Sequence, residues 1–209
     1  MIIYGASLSP FVRKTLAYAA EKGIEVTHKV PPFGQPDPEF MAVSPFGKIP
    51  ALKDGDFSVP DSSAIIQYFE AIKPEPALIP GDPRDRARVI WFEEYADTIL
   101  VGASGPLFFN RIVARLTGAS PDEAAATRAE TRDVPPVLDY LERVMPESGH
   151  LVADRLTLAD IAVASPFVNL LHLRFDLTPW PKVKAWSEAM LARPSFARWV
   201  AAESRLLSR

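Results

Sequence analysis

The chain has 209 residues, 48% hydrophobic and 23% charged, which suits one large domain or two small ones with ample core. Its formal net charge of -3 offers no global attraction for nucleic acid or an acidic membrane. It contains no cysteine, which excludes disulfides, thiolate metal sites and a thiol nucleophile supplied by the protein itself.

The start, MIIYGAS, lacks the basic region and long apolar stretch of a signal peptide, which points to the cytoplasm. Residues 1–5 read as a strand ending at Gly5. Ser7-Leu8-Ser9-Pro10 then leads into a helix over 9–22, with Val12, Leu16, Ala19 and Ala20 on one face and Gly23 as the stop. Ser9 is a good N-cap, and Pro10 suits the first helical position. The first amides of a helix lack internal partners and carry partial positive charge, so this junction is a place to stabilise an anion. Glu25 to Val30 alternates as a second strand, and the strand–helix–strand order implies a parallel pair with a right-handed crossover. His28 reads as a polar residue on that strand.

Pro31 to Pro36 reads as a loop, and Asp37-Pro38 as the cap of a short helix. In Ser44-Pro45-Phe46-Gly47-Lys48-Ile49-Pro50-Ala51-Leu52 the segment from Ile49 is a short strand. Its Pro50 fits either the first position of an edge strand or a cis bond. Asp54-Gly55-Asp56 turns into a hairpin partner, Phe57 to Val59, and Pro60-Asp61-Ser62-Ser63 opens a helix reaching Ile72. The order is βαβ, α, ββα: a small α/β unit with a mixed four-stranded sheet.

Pro74, Pro76, Pro80 and Pro83 mark a linker. Beyond it the periodicity is helical. A long helix begins near 82–85, with an interruption or bend expected at Gly102, Gly105 and Pro106, and helical spacing resumes over Leu107 to Leu116. Ser120-Pro121-Asp122-Glu123 caps another helix, which Pro135-Pro136 should kink or break before it ends at Ser148-Gly149. Thr157 and Asp160 form a short-armed capping box on an almost wholly apolar helix to Leu171, whose end carries His172. Further helices run from Trp180-Pro181 to Ala192 and from Pro194 to about Leu206. The apolar runs fall short of about 18 residues, so no membrane-spanning helix is expected. The three histidines show no ligand spacing, so no metal site is expected.

Ser9-Pro10-Phe11, the segment Ser44 to Leu52, Asp61-Ser62, and Leu156-Thr157-Leu158-Ala159-Asp160-Ile161 together make the chain resemble a cytosolic-type glutathione transferase, of serine-type, bacterial-like character. The resemblance covers nearly the whole chain. It implies a thioredoxin-like glutathione-binding domain over 1–75 and an all-helical domain over 84–209 that contributes an electrophile site. It further implies that Pro50 is the cis-proline and that Ile49 pairs with the cysteinyl part of glutathione. Asp61 and Ser62 would hold the γ-glutamyl end, and Lys48 would meet the glycyl carboxylate. The family often has glutamate where this chain has Asp61, whose shorter arm leaves that ammonium contact open.

Ser9 is expected to face the glutathione sulfur, with Ser7, two residues earlier, as the rival. The nucleophile then belongs to glutathione as co-substrate, and the protein supplies position and electrostatics. Phe11, Phe108, Phe109 and Arg111 are candidates to line the electrophile site. A two-fold homodimer, a small-molecule electrophile as partner and a role in detoxification follow by the same resemblance, with no metal, nucleic acid or membrane. A glutathione-dependent isomerase or ether-cleaving enzyme, or a non-catalytic module of the same fold, are the alternatives.

Overall fold

The computed structural model describes residues 1–32, 34 and 37–208; Phe33, Gln35 and Pro36 of the expected 31–36 loop lie outside the described residues. Strand β1 (Ile2–Tyr4) leads into helix α1 (Pro10–Glu21), and β2 (Thr27–Lys29) runs parallel to β1 with His28 opposite Ile3. Strand β2 is shorter than the 25–30 alternation suggests because β1 offers only three residues to pair with. Helix α2 (Pro38–Val43) precedes β3 (Ala51–Asp54), which lies antiparallel to β1, and β4 (Phe57–Val59) pairs antiparallel with β3. Helix α3 (Ser62–Ile72) follows. The sheet order β2-β1-β3-β4 is the thioredoxin-like arrangement, mixed and four-stranded.

The apolar spacing in α1 buries Val12, Leu16 and Ala19, and that in α3 buries Ile65, Ile66 and Phe69, beside Ile3 and Leu52 of the sheet. Each large side chain withdrawn from water contributes roughly 1.5–3 kcal/mol. The linker is fastened by charge. Lys22, buried at the end of α1, donates to Glu70 Oε2 at 2.6 Å and to the carbonyls of Pro74 and Pro76 at 3.0 and 2.7 Å.

Contacts divide the chain into Met1–Ile79 with Pro194–Arg209, and Pro80–Arg193. The last helix therefore groups with the sheet, whereas the resemblance assigns it to the helical domain.

In the second unit, helix α4 (Pro83–Thr117) runs straight through the expected interruption at Gly102, Gly105 and Pro106. It does so with wider π turns at Tyr95–Leu100 and Phe109–Val113. Side chains return to its carbonyls: Ser104 Oγ donates to Leu100 O at 2.7 Å and Asn110 Nδ2 to Pro106 O at 2.8 Å. Side-chain bonds of this kind to carbonyls one turn back are typical of bent or irregular helix segments. By length and composition α4 meets the measure of a spanning helix, as buried core helices also can. Here its face of Val89, Phe92, Ala96, Leu100 and Leu107 is buried. Helix α5 (123–144) also continues past Pro135-Pro136, because a π turn at Ala129–Asp133 leaves both prolines in the first turn of the α-helical part.

Helix α6 (Leu158–His172) is buried from Leu158 to Leu170. Its capping box is present: Asp160 accepts from Thr157 N at 2.9 Å and also from Leu151 N at 2.8 Å. Burial raises the Asp160 carboxyl above its ordinary value, while these amides pull the other way. Helices α7 (Pro181–Leu191) and α8 (Pro194–Leu207) complete the chain. Asp160→Asn replaces an acceptor of two buried amides by a group that also carries donors. Loss of one such bond costs about 1–3 kcal/mol, so the urea midpoint of the variant should fall accordingly.

Candidate active site

Strand directions bring three loops to one end of the sheet. Strand β1 ends at Tyr4, opposite Ala51 where β3 begins, and Val59 at the end of β4 lies opposite Leu52. The starts of α1 and α3 and the Ser44–Pro50 loop therefore share that end.

Ser9 caps α1 with extended backbone at φ -72 and ψ 125, and its Oγ accepts from Val12 N at 3.5 Å. A bond at that distance is weak and leaves the hydroxyl able to turn toward a ligand. Ser7 is half-buried, and its hydroxyl has no hydrogen-bond partner among the described residues. Gly5 makes the junction possible. Its φ is +141, and an added Cβ would stand 2.5 Å from Val12 Cγ2 and 2.9 Å from Ile49 Cβ. The first helix and the Ile49 loop are thus packed directly on the chain that turns into Ser7 and Ser9.

The tyrosines of this unit are engaged elsewhere. Tyr4 Oη donates to Glu39 at 2.6 Å, Tyr18 Oη to Glu70 at 2.5 Å and Tyr68 Oη to Asp54 at 2.8 Å. Burial first, then the carboxylate of Glu39, pushes the Tyr4 hydroxyl up to about 12. Serine hydroxyls are what this sheet end offers.

The Ile49–Pro50 bond is cis. Ile49 precedes the first paired residue of β3, and its N–H and C=O take no backbone bond among the described residues. Ser44 Oγ fixes the loop by donating to Lys48 O at 2.8 Å, while the Lys48 side chain is exposed. Beside Ala6, Gly47 and Ile49 lies a cavity of about 420 Å3.

At α3, Asp61 is the N-cap and accepts from Ala64 N at 2.9 Å; it is exposed. Ser62 is 7% exposed, and its hydroxyl has no partner among the described residues. Lys14 of α1, buried, donates to Ser63 Oγ at 3.4 Å beside this helix start.

Of the electrophile candidates, Phe11 is half-buried in the first unit. In the second unit Phe108 is buried and Phe109 is 46% exposed. Arg111 is held by Glu130 in a two-pronged bond, 2.8 Å from Nη1 and 2.7 Å from Nη2, and this pairing raises its pKa. Its guanidinium is therefore occupied within its own helices. No group of three or more metal-ligating side chains forms among the described residues.

His28 is the residue whose part the sequence reading missed. Its Nε2 lies 2.6 Å from Gly5 O, and since a carbonyl only accepts, Nε2 carries the proton. Nothing in the strand pattern could reveal this, because the partner is a backbone atom twenty-three residues away.

A thioredoxin-like sheet unit with an open strand edge before a cis-proline and two helix N-termini at one end, followed by a helical unit, defines a class of thiol-binding proteins. Residues 3–77 match the family described as glutathione S-transferase, N-terminal domain, and residues 108–203 that described as glutathione S-transferase, C-terminal domain. Glutathione S-transferase 3 of Zea mays is 33% identical over 208 residues, spanning 96% of this chain and 93% of the relative. Maleylacetoacetate isomerase of Rattus norvegicus is 30% identical over 160 residues, 76% of this chain and 70% of the relative. The solved structure of glutathione S-transferase I from Mais in complex with an atrazine glutathione conjugate superposes with a TM-score of 0.85 at 26% identity, covering 96% of each chain. The chain belongs to the glutathione S-transferase family, and it is an enzyme of that activity.

Two substitutions test this geometry. Gly5→Ala should overpack the junction, costing about 1–3 kcal/mol, and calorimetry should show a lower Tm. Tyr4→Phe should leave the pH profile of turnover unchanged between pH 6 and 10, roughly the range in which Tyr4 of the unaltered protein keeps its proton; a displaced profile would place Tyr4 in the chemistry.

Proposed function

We propose that Ser9, at the N-terminus of α1, holds the sulfur of bound glutathione as the thiolate, which attacks an electrophilic small molecule. The carbon–sulfur bond forms with the thiolate's electron pair. For an activated aryl halide, the halide leaves with the pair of the bond that breaks. The observation that carries this reading is the coincidence, at one sheet end, of a loosely bonded Ser9 cap with an Ile49 edge that has no backbone partner. A free thiol ionises near pH 8.5, and helix N-termini depress that value to roughly 3.5–7.5. A hydrogen bond to a charged group adds about 1.5–3 kcal/mol. One hydroxyl and the amides behind it are therefore sufficient to keep the bound thiol ionised near neutral pH.

The tripeptide pairs as a strand with the Ile49 backbone ahead of Pro50. Its γ-glutamyl end meets Ser62 and the α3 amides for the carboxylate and Asp61 for the ammonium. Its glycyl end extends beside the cavity near Gly47, where Lys48 supplies the opposite charge. Ser7 is the second hydroxyl at the sulfur.

In the second unit, Phe108 and Phe109 are the residues proposed to receive the electrophile, with Arg111 held beside them in its own helices by its bond to Glu130. The family's two-fold homodimer is supported by large apolar side chains left exposed, Phe46 at 87% and Trp91 at 45%. A serine-type detoxifying enzyme of the cytoplasm is the reading that follows. Conjugation is preferred to isomerisation or ether cleavage, since relatives matching 95% or more of this chain bear transferase names.

Ser9→Ala should raise the pH at which bound glutathione ionises by about 1–2 units, the equivalent of the lost charge-assisted bond. The ultraviolet absorption of the thiolate reads this directly. Ser7→Ala should move it less; the reverse order would make Ser7 the sulfur's partner.

A further inference from the structure

The loop that carries Ser7 and Ser9 is bounded by Gly5 before it and by Arg13 after it. Helix α8, in the same compact unit, reaches both ends. Glu203 of α8 grips Arg13 with two bonds, Nε to Oε1 at 3.2 Å and Nη2 to Oε2 at 2.9 Å, and both side chains are at most 1% exposed. The backbone amide of Arg13 in turn donates to Ser9 O at 3.0 Å. Trp199 of α8 meets the His28 ring edge to face, centroids 5.1 Å apart and planes at 85°, and His28 donates to Gly5 O at 2.6 Å. A third tie, Ser195 Oγ to Glu21 Oε1 at 2.5 Å, fixes the start of α8 to the end of α1.

A buried ion pair is a poor route to stability, because desolvation of both charges consumes most of their attraction. It is a good route to fixing a position, because the planar fork of arginine accepts a carboxylate in few geometries. The edge-to-face contact likewise restricts His28 in a way a wet strand face would not.

We propose that the C-terminal helix positions the sulfur-binding loop, with Glu203 acting through Arg13 and His28 acting through Gly5 as positioning residues for Ser9. This rests on the reading of Ser9 as the thiolate's partner. Neither residue touches glutathione in this scheme. Their loss leaves binding of the tripeptide largely intact and weakens what Ser9 does for the sulfur. In kinetic terms kcat falls while KM for glutathione changes little.

The experiment compares His28→Leu, His28→Gln, Glu203→Gln and Ser9→Ala in the full-length protein, reading the pH of thiolate formation on bound glutathione, kcat, KM and Tm. Glutamine places an amide N–H near the position of Nε2, so His28→Gln should keep the wild-type ionisation. His28→Leu and Glu203→Gln should each raise it by about one unit, a tenfold loss of thiolate below that pH. His28→Leu added to Ser9→Ala should give no further shift, since the two act through one group. If Glu203→Gln folds poorly, the apolar pair Arg13→Met with Glu203→Leu should restore Tm yet leave the ionisation displaced. The inference is overturned if Ser9→Ala displaces the ionisation while His28→Leu and the Arg13–Glu203 variants do not. If Ser9→Ala itself has no effect, the reading of Ser9 fails instead, and the positioning role fails with it.

Discussion

The structure depends on the unpaired amides at the start of α1. Every helix presents such groups, and most proteins spend them on a side-chain cap or on water. Here the cap is present but slack, with Ser9 Oγ at 3.5 Å from Val12 N. In the reading proposed here, the remaining features bring a sulfur anion to that point and hold the point still. Gly5 lets the chain turn without a Cβ between Val12 and Ile49. On that proposal the Ile49 edge, which has no backbone bond among the described residues, pairs with an extended peptide, and the α3 start meets its far carboxylate. The tyrosines Tyr4, Tyr18 and Tyr68 of the same unit are tied to carboxylates.

Charge inside the unit is used for fastening. Lys22 draws the linker carbonyls of Pro74 and Pro76 onto α1, and Arg13 meets Glu203 with both partners out of water. Such pairs give little net stability but select one arrangement of the elements they join. The first helix is consequently held at its end by Glu21 and Lys22, in its first turn by Arg13, and at its start by the packing on Gly5. A thiolate site tolerates little drift, because a hydrogen bond to an anion weakens steeply with distance and angle.

Much of this was legible in the residues. The Ser9-Pro10 cap, the Asp61 cap and the Thr157–Asp160 box are local patterns that local hydrogen bonding decides, while the cis bond at Pro50, left open by its residues, was named by the family resemblance. The long helices were misread where composition competes with context: Gly102, Gly105 and Pro106 are poor helix residues, yet α4 continues through them with π turns at Tyr95–Leu100 and Phe109–Val113. Long-range polar contacts were not legible at all. That His28 faces Gly5, and that Glu203 returns to Arg13 across 190 positions, depends on tertiary packing that no periodicity records.

The most direct measurement is the ultraviolet titration of glutathione bound to the unaltered protein, set against free glutathione in the same buffer. The account predicts that the bound thiol loses its proton at least about one unit below the ordinary value near 8.5. Bound and free thiols that ionise at the same pH would contradict it.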